Sequence, residues 1–250
     1  MPKISFLIAT KNRAYIIKDT IKSLVGQTFK DWEAIIVDDH STDSTLKIFT
    51  SHHDQRLRYY KLSDGHGHGA SCARNFAAVY ARADIVAMLD SDDIAYPRRA
   101  EKIVETFKNQ PSLDVFYSDI DIYDESKATL RDRKTPIYPY SYERMKKLHY
   151  IPHSTVAMRR QILLDNPYNQ FFRFAEDYEL LSRLAQQKKN FFYCDEKLTK
   201  YRISQDNITR QPGSEELLKQ YGLLVKMVRG WIPFSIKILN IIDDLENKRK

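Results

Sequence analysis

In the first half of the chain, apolar runs of strand length alternate with stretches whose apolar residues recur at helical spacing. Ile4–Ala9 ("ISFLIA") is a continuous apolar run, and Ile17, Ile21, Leu24 and Val25 then fall on one helical face. "EAIIVDD" predicts a second buried strand, and Ser41–Thr50 a second helix with a Ser or Thr able to cap it. "LRYYKL" predicts a third strand, "HGHG" a loop opening an Ala-rich helix over Ala70–Ala83, and "DIVAML" a fourth strand. Strands that are apolar on both faces and separated by helices predict a parallel α/β sheet with right-handed crossovers.

The second half is less regular. "DVFYSDIDIY" reads as a strand, "YIPHSTVAMRR" as a strand running into a turn, and "EDYELLSRLAQQ" as a helix with Leu180, Leu181 and Leu184 inward. "QPGSEE" reads as a break followed by a helix start capped by Ser214.

Open α/β sheets bind ligands outside the carboxyl ends of their strands. That rule gathers Thr10, Lys11, Asn12 and Arg13 after the first strand, Asp38 and Asp39 after the second, and Asp90, Asp92 and Asp93 after the fourth. Carboxylates gathered along one edge repel each other unless a cation joins them. "DSDD" offers hard oxygen ligands, suited to Mn²⁺ or Mg²⁺ rather than zinc, with substrate phosphates completing the shell. The cluster therefore points to a nucleoside-diphosphate site. Taken singly, Asp92 or Asp93 could instead cap a helix beginning near Pro97, and Glu176 and Asp177 could simply be acids favoured in a helix's first turn.

Composition narrows this only a little. The 250 residues allow one large domain or two small ones, and the formal charge of +7 suits an anionic partner. The two cysteines, Cys72 and Cys194, lie far apart with no Cys/His cluster nearby, so neither a disulfide framework nor a zinc site is expected. No apolar run approaches the ~20 residues of a membrane span, and "KISFLIAT" is too short for a signal peptide. The chain reads as cytoplasmic.

The ordered set of motifs resembles family 2 glycosyltransferases, inverting nucleotide-sugar-dependent enzymes of the GT-A fold. The pieces are "ISFLIATKNR", "SLVGQTFKDWEAIIVDDHSTDST", "GASCARNFA", "MLDSDDIAYP", "AEDYELLSRL" and "YRISQDNIT", which together span roughly residues 3 to 210. The resemblance implies a Rossmann-like nucleotide-binding half over residues 1–98, with a mainly parallel sheet, fused to an acceptor half over 99–212; a C-terminal amphipathic helical segment, 213–250, follows. It assigns Ala9, Lys11, Asn12, Arg13, Asp39, Arg74, Asp90 and Asp92 to the donor nucleotide, with Asp39 accepting from uracil N3–H. Asp92 and Asp93 become ligands to Mn²⁺ or Mg²⁺, Asp177 the general base with Glu176 beside it, and His153 and Arg202 candidate acceptor or diphosphate contacts. The implied partners are a UDP-sugar donor and a lipid-linked, lipopolysaccharide or capsule glycan acceptor. Two positions depart from the family pattern: Lys11 stands where many relatives carry Tyr, and Ser204 where many carry His.

Leu217–Ile242 contains no acid but carries Lys219, Lys226, Arg229 and Lys237. Leu217, Tyr221, Leu224, Val225 and Val228 share one helical face, followed by Trp231, Pro233, Phe234, Ile238, Ile241, Ile242 and Leu245. This pattern fits a segment (217–245) lying on an anionic membrane surface at the inner face of the cell membrane. It fits equally a face that packs on the catalytic domain or on a second copy in a homodimer. No nucleic-acid-binding motif is present. Two rivals remain. A nucleotidyltransferase of similar fold should carry a Gly-rich phosphate loop where "ATKNRAYI" has no glycine. A Mg²⁺-dependent phospho-receiver module should place "VDD" after its first strand, and it leaves the chain beyond Pro136 unexplained.

Overall fold

The computed structural model describes residues 1–131, 136–204 and 213–231. The first half follows the alternation: β1 (Ile4–Thr10), α1 (Ile17–Val25), β2 (Trp32–Asp38), α2 (Thr45–Thr50), β3 (Leu57–Lys61), α3 (Ala70–Tyr80) and β4 (Ile85–Met88). Then come β5 (Ile94–Ala95), α4 (Arg99–Asn109), β6 (Val115–Asp124), β7 (Thr129–Arg131), α5 (Tyr142–Lys147), β8 (Ala157–Arg159), α6 (Arg160–Asp165), α7 (Glu176–Gln186), β9 (Phe191–Ile203) and α8 (Ser214–Val228).

One sheet runs through both halves in the order β3-β2-β1-β4-β8-β6-β9-β5, with β7 on β6. β3, β2, β1 and β4 are parallel neighbours, as are β6 and β9. β8 joins the two parallel blocks by running antiparallel to both β4 and β6. Side chains alternate across the sheet with period two. Ile4, Phe6 and Ile8 pack with Ile17, Ile21 and Leu24 of α1 on one face, while Leu7, Ile35 and Val37 meet Ala73 and Ala77 of α3 on the other.

The register sets Ser5 opposite Glu33, which is buried. Glu33 Oε1 accepts from Ser5 Oγ (2.8 Å) and Arg82 N (2.7 Å), and Oε2 accepts from Arg58 Nη1 (3.0 Å) and Arg82 Nε (2.8 Å). Burial alone would raise its pKa, but these donors outweigh that and hold it below the usual carboxylate value. A depressed carboxyl contributes stability that is complete above its unfolded pKa, about 4.3, and is lost as pH falls through the folded value. Glu33→Gln is accordingly expected to cost about 1–3 kcal/mol at pH 7, both arginines retaining access to water. The difference in melting temperature from the parent should close below pH 4, which a pH series of thermal melts reads.

Three local expectations shift. α2 begins at Thr45, not Ser41, because the preceding amides are drawn to side chains: Ser41 N–H donates to Asp38 Oδ1 and Thr42 N–H to Asn12 Oδ1. Gly213, at φ 81°, takes the N-cap position of α8, and Ser214 is the first helical residue. α4 begins at Arg99, so neither Asp92 nor Asp93 caps it.

α8 uses its apolar face within the protein. Tyr221 packs among Phe171, Phe172 and Phe174, while Leu224 and Val225 are buried. Trp231 lies edge-on to Tyr142 and donates to its hydroxyl (3.2 Å). Lys226 and Arg229 bond to Lys147 O and Glu179. Over residues 217–231 this is the packing alternative of the two the pattern allowed; Pro233 to Leu245 lie outside the described residues. No described helix is long and apolar enough to cross a membrane.

Candidate active site

The turns after β1 and β2 are tied together by backbone-to-side-chain bonds. Asn12 N–H donates to Ser41 Oγ (2.8 Å), Arg13 N–H to Thr45 Oγ1 (3.0 Å) and Ala14 N–H to Asp43 Oδ2 (3.0 Å). Asn12 (φ 51°) and His40 (φ 60°) take left-handed backbone conformations at the two bends, which Asn and His adopt more often than most side chains. Ala9 lies half-buried at the end of β1. Asp39 is nearly enclosed: its Oδ2 accepts from Gly69 N–H (3.0 Å) and Lys11 Nζ (3.3 Å), and its Oδ1 faces His40 Nδ1 (3.0 Å). Burial would raise Asp39, but these neighbours hold it below the usual carboxylate range. It is thus an ionised acceptor at the cleft.

β4 ends in the acidic turn, and the two-residue β5 folds that turn back by pairing antiparallel with β9. Thr20 Oγ1 donates to the carbonyls of Ser91 and Asp93, both at 2.9 Å. Arg202 on β9 clamps the turn from the other side, with its N–H on Asp93 Oδ1 (2.9 Å) and its Nε on Asp92 O (3.1 Å). Its guanidinium also reaches Glu125 and Asp19. The side chain expected as a diphosphate contact therefore also positions the acidic turn.

The three aspartates differ sharply. Burial would raise Asp90, but Arg74, His153 and Ser154 outweigh it and hold Asp90 far below its ordinary value. Asp92 is pushed up to about 6 by burial and by Asp90, with Arg13 opposing. Asp93 is fully buried, and burial together with Asp92 and Asp90 raises it well above the usual range. Its Oδ2 makes no hydrogen bond within the protein. A buried carboxylate oxygen without a donor, beside two further carboxylates, is a set of hard oxygens that fits a divalent cation. Asp93→Asn is therefore expected to stabilise the metal-free protein by about 0.5–2 kcal/mol while removing metal-dependent ligand binding. Paired thermal melts with and without Mn²⁺ check this, the parent gaining with metal and the variant not.

Arg74 of α3 joins this turn to the second half. Its Nη2 donates to Asp90 Oδ1 and its Nη1 to Glu176 Oε1, both at 2.8 Å, over the ring of Tyr168. Glu176 opens α7 after Ala175, which turns the chain at φ 57°. Burial raises Glu176, with Arg74 opposing and Asp177 adding to the rise. Asp177 Oδ1 accepts from Tyr178 N–H (2.8 Å), and its Oδ2 lies 3.3 Å from His149 Nε2, whose ring stacks on Tyr178. His153, expected on a strand, sits in a 3₁₀ turn, its Nε2 2.7 Å from Tyr168 Oη and its Nδ1 3.7 Å from Asp90. The half-buried Tyr201 hydroxyl is raised by burial, with Asp93, Asp90, Asp92 and Asp177 adding to the rise.

Sequence reasoning missed His149, Ser154, Tyr168 and Tyr201 as parts of this site. Two of them had a signal, Ser154 adjoining His153 and Tyr201 opening the motif that contains Arg202; in the structure Ser154 Oγ accepts from Asp90 N–H (3.2 Å).

A family model, Glycosyl transferase family 2, matches residues 5–165. The chain belongs to glycosyltransferase family 2. It is accordingly an enzyme that transfers sugars. An uncharacterised glycosyltransferase of Methanocaldococcus jannaschii is 30% identical over 231 residues, covering 89% of this chain and 78% of that one. The Escherichia coli UDP-Glc:alpha-D-GlcNAc-diphosphoundecaprenol beta-1,3-glucosyltransferase WfgD is 29% identical, covering 96% and 92%. The fold is GT-A. It matches S. aureus TarS 1-349 in complex with UDP (TM-score 0.69, 20% identity, 91% of this chain and 65% of that one). It also matches the mannosyltransferase PcManGT from Pyrobaculum calidifontis in complex with GDP-Man and Mn²⁺ (TM-score 0.67, 15% identity, 98% and 70%).

Proposed function

We propose that this family 2 enzyme moves a hexose or N-acetylhexosamine, with inversion, from a UDP-sugar to a lipid-linked or surface-polysaccharide glycan. The observation that carries the reading is Arg74, which holds the acidic turn and the Glu176–Asp177 pair on opposite ends of one guanidinium. Residues 1–98 form the donor half and 99–212 the acceptor half. The chain covers nearly all of WfgD, whose name gives a UDP-glucose donor and a diphosphoundecaprenol-linked acceptor.

Asp39, held ionised, accepts from uracil N3–H. Arg13, close enough to Asp92 to lower its pKa, faces the diphosphate. Asp92 and Asp93 would hold a divalent cation, Mn²⁺ or Mg²⁺, which when bound would offset the charge gathering on the leaving diphosphate. Asp177 takes the proton of the attacking hydroxyl, with His149 Nε2 3.3 Å from its second oxygen and Arg74 keeping Glu176 alongside. His153, held against Tyr168, presents its Nδ1 toward Asp90 and lines the acceptor side.

Calorimetric titration of UDP, GDP, dTDP and ADP, with Mn²⁺ and again with EDTA, tests the donor. UDP should bind most tightly and only with metal. Preference for GDP would overturn the uridine reading while keeping the site, and binding unaffected by EDTA would remove the metal from it.

A further inference from the structure

Asp39, His40 and His68 bring a carboxylate oxygen and two imidazole nitrogens within 4.8 Å of one another. Both Nδ1 atoms address the same oxygen, Asp39 Oδ1, at 3.0 Å from His40 and 3.5 Å from His68. The two rings lie 4.3 Å apart. Ligand bonds of about 2.0–2.1 Å place neighbouring corners of a tetrahedron about 3.3–3.4 Å apart, and the two measured separations bracket that edge.

The surroundings match those of a ligating set. Gly69 N–H fixes Asp39 Oδ2 and so turns Oδ1 toward the histidines. His40 Nε2 lies 3.4 Å from Asp64 Oδ1, and an outer carboxylate on the far nitrogen is the usual partner of a metal-bound imidazole. In the tautomer that carries its proton on Nε2, facing Asp64, Nδ1 would turn a lone pair toward Asp39 Oδ1, and a cation would join the two. His40 also holds a left-handed backbone, φ 60°, that a glycine would take more easily. Lys11 Nζ is the competing cation, 3.3 Å from Oδ2, but its side chain is half exposed and can leave.

We propose that Asp39, His40 and His68 form a second metal site, of the imidazole-carboxylate kind that takes Zn²⁺, distinct from the all-oxygen turn of Asp90, Asp92 and Asp93. Because its carboxylate is the one assigned to the nucleobase, Zn²⁺ there competes with the donor. That consequence rests on the donor reading above; the metal site itself does not.

The test uses the full chain, without a polyhistidine tag and cleared of metal, titrated with Co²⁺ by visible absorption and with Zn²⁺ by calorimetry. The parent should give the intense visible bands of four-coordinate Co²⁺. His68→Gln, at an exposed position that does not endanger folding, should lose them and weaken Zn²⁺ binding at least ~10-fold. His40→Gly, suited to the left-handed backbone, should do the same. Unchanged Zn²⁺ affinity in both variants, or no tetrahedral Co²⁺ spectrum in the parent, would overturn the proposal. Zn²⁺ should also weaken Mn²⁺-supported UDP binding in the parent and not in His68→Gln. If UDP fails to bind at all while the cobalt bands appear, the donor reading falls and the metal site stands.

Discussion

Asp177→Asn lowers sugar transfer by about 10²–10⁴-fold, the usual worth of a positioned general base, and leaves metal-dependent UDP affinity unchanged. The substitution keeps what the structure asks of the side chain except its basicity. Asparagine retains the Oδ1 that accepts Tyr178 N–H and fills the same volume beside His149. Removing one negative charge from the first turn of α7 costs about 0.3–1 kcal/mol through the helix dipole, too little to unfold the chain. Glu176, still bound by Arg74, cannot move over to take the proton. Single-turnover transfer and nucleotide calorimetry on the same preparation check the two halves of the expectation. Transfer retained with binding lost would show that Asp177 serves the donor rather than the acceptor.

The parallel half of the fold was legible because it is local. β1 and β2 are buried on both faces, helices follow β1, β2 and β3, and the strand-end rule then gathers Asp39 and the Asp90–Asp93 turn without further information. The β8 link was not legible. Ala157–Arg159 is three residues long, and only its pairing with both β4 and β6 makes it a strand. The same limit hid His149 and Tyr168. Neither lies in an apolar period or a motif, and each enters the site through a contact distant in sequence, Tyr168 through a hydroxyl that meets His153. Arg202 shows the opposite case: its motif marked it, but the motif could not say that its backbone N–H and its Nε would be spent on holding the acidic turn. The basic amphipathic stripe of α8 carried no information about its partner. A lipid surface and the Phe171–Phe174 cluster ask for the same face; the cluster covers it at Tyr221, Leu224 and Val225 are buried, Trp231 packs on Tyr142 and Tyr178, and Val228 stays half exposed.

Arg74→Met is expected to destabilise the protein by about 3–5 kcal/mol, because it leaves two half-buried carboxylates without their shared, buried cation. For a chain of this size that is a fall of about 6–20 °C in melting temperature. Arg74 is buried, and its two bonds hold Asp90 well below its ordinary pKa and oppose the rise of Glu176. Without it both carboxyls rise. An acid whose folded pKa lies above its unfolded value costs stability once ionised and returns that stability as pH falls, so the deficit of the variant should be greatest at neutral pH and shrink toward pH 5. The loss belongs to the orphaned charges rather than to the guanidinium's own contribution, and this separates it from a packing defect. Adding Asp90→Asn and Glu176→Gln to Arg74→Met should recover most of the lost stability, since exchanging a whole buried charge set for neutral groups is often near neutral. The triple variant should remain inactive. If it melts as low as the single variant, Arg74 stabilises by packing over Tyr168, and the electrostatic bridge between the two halves of the site is not what holds them together.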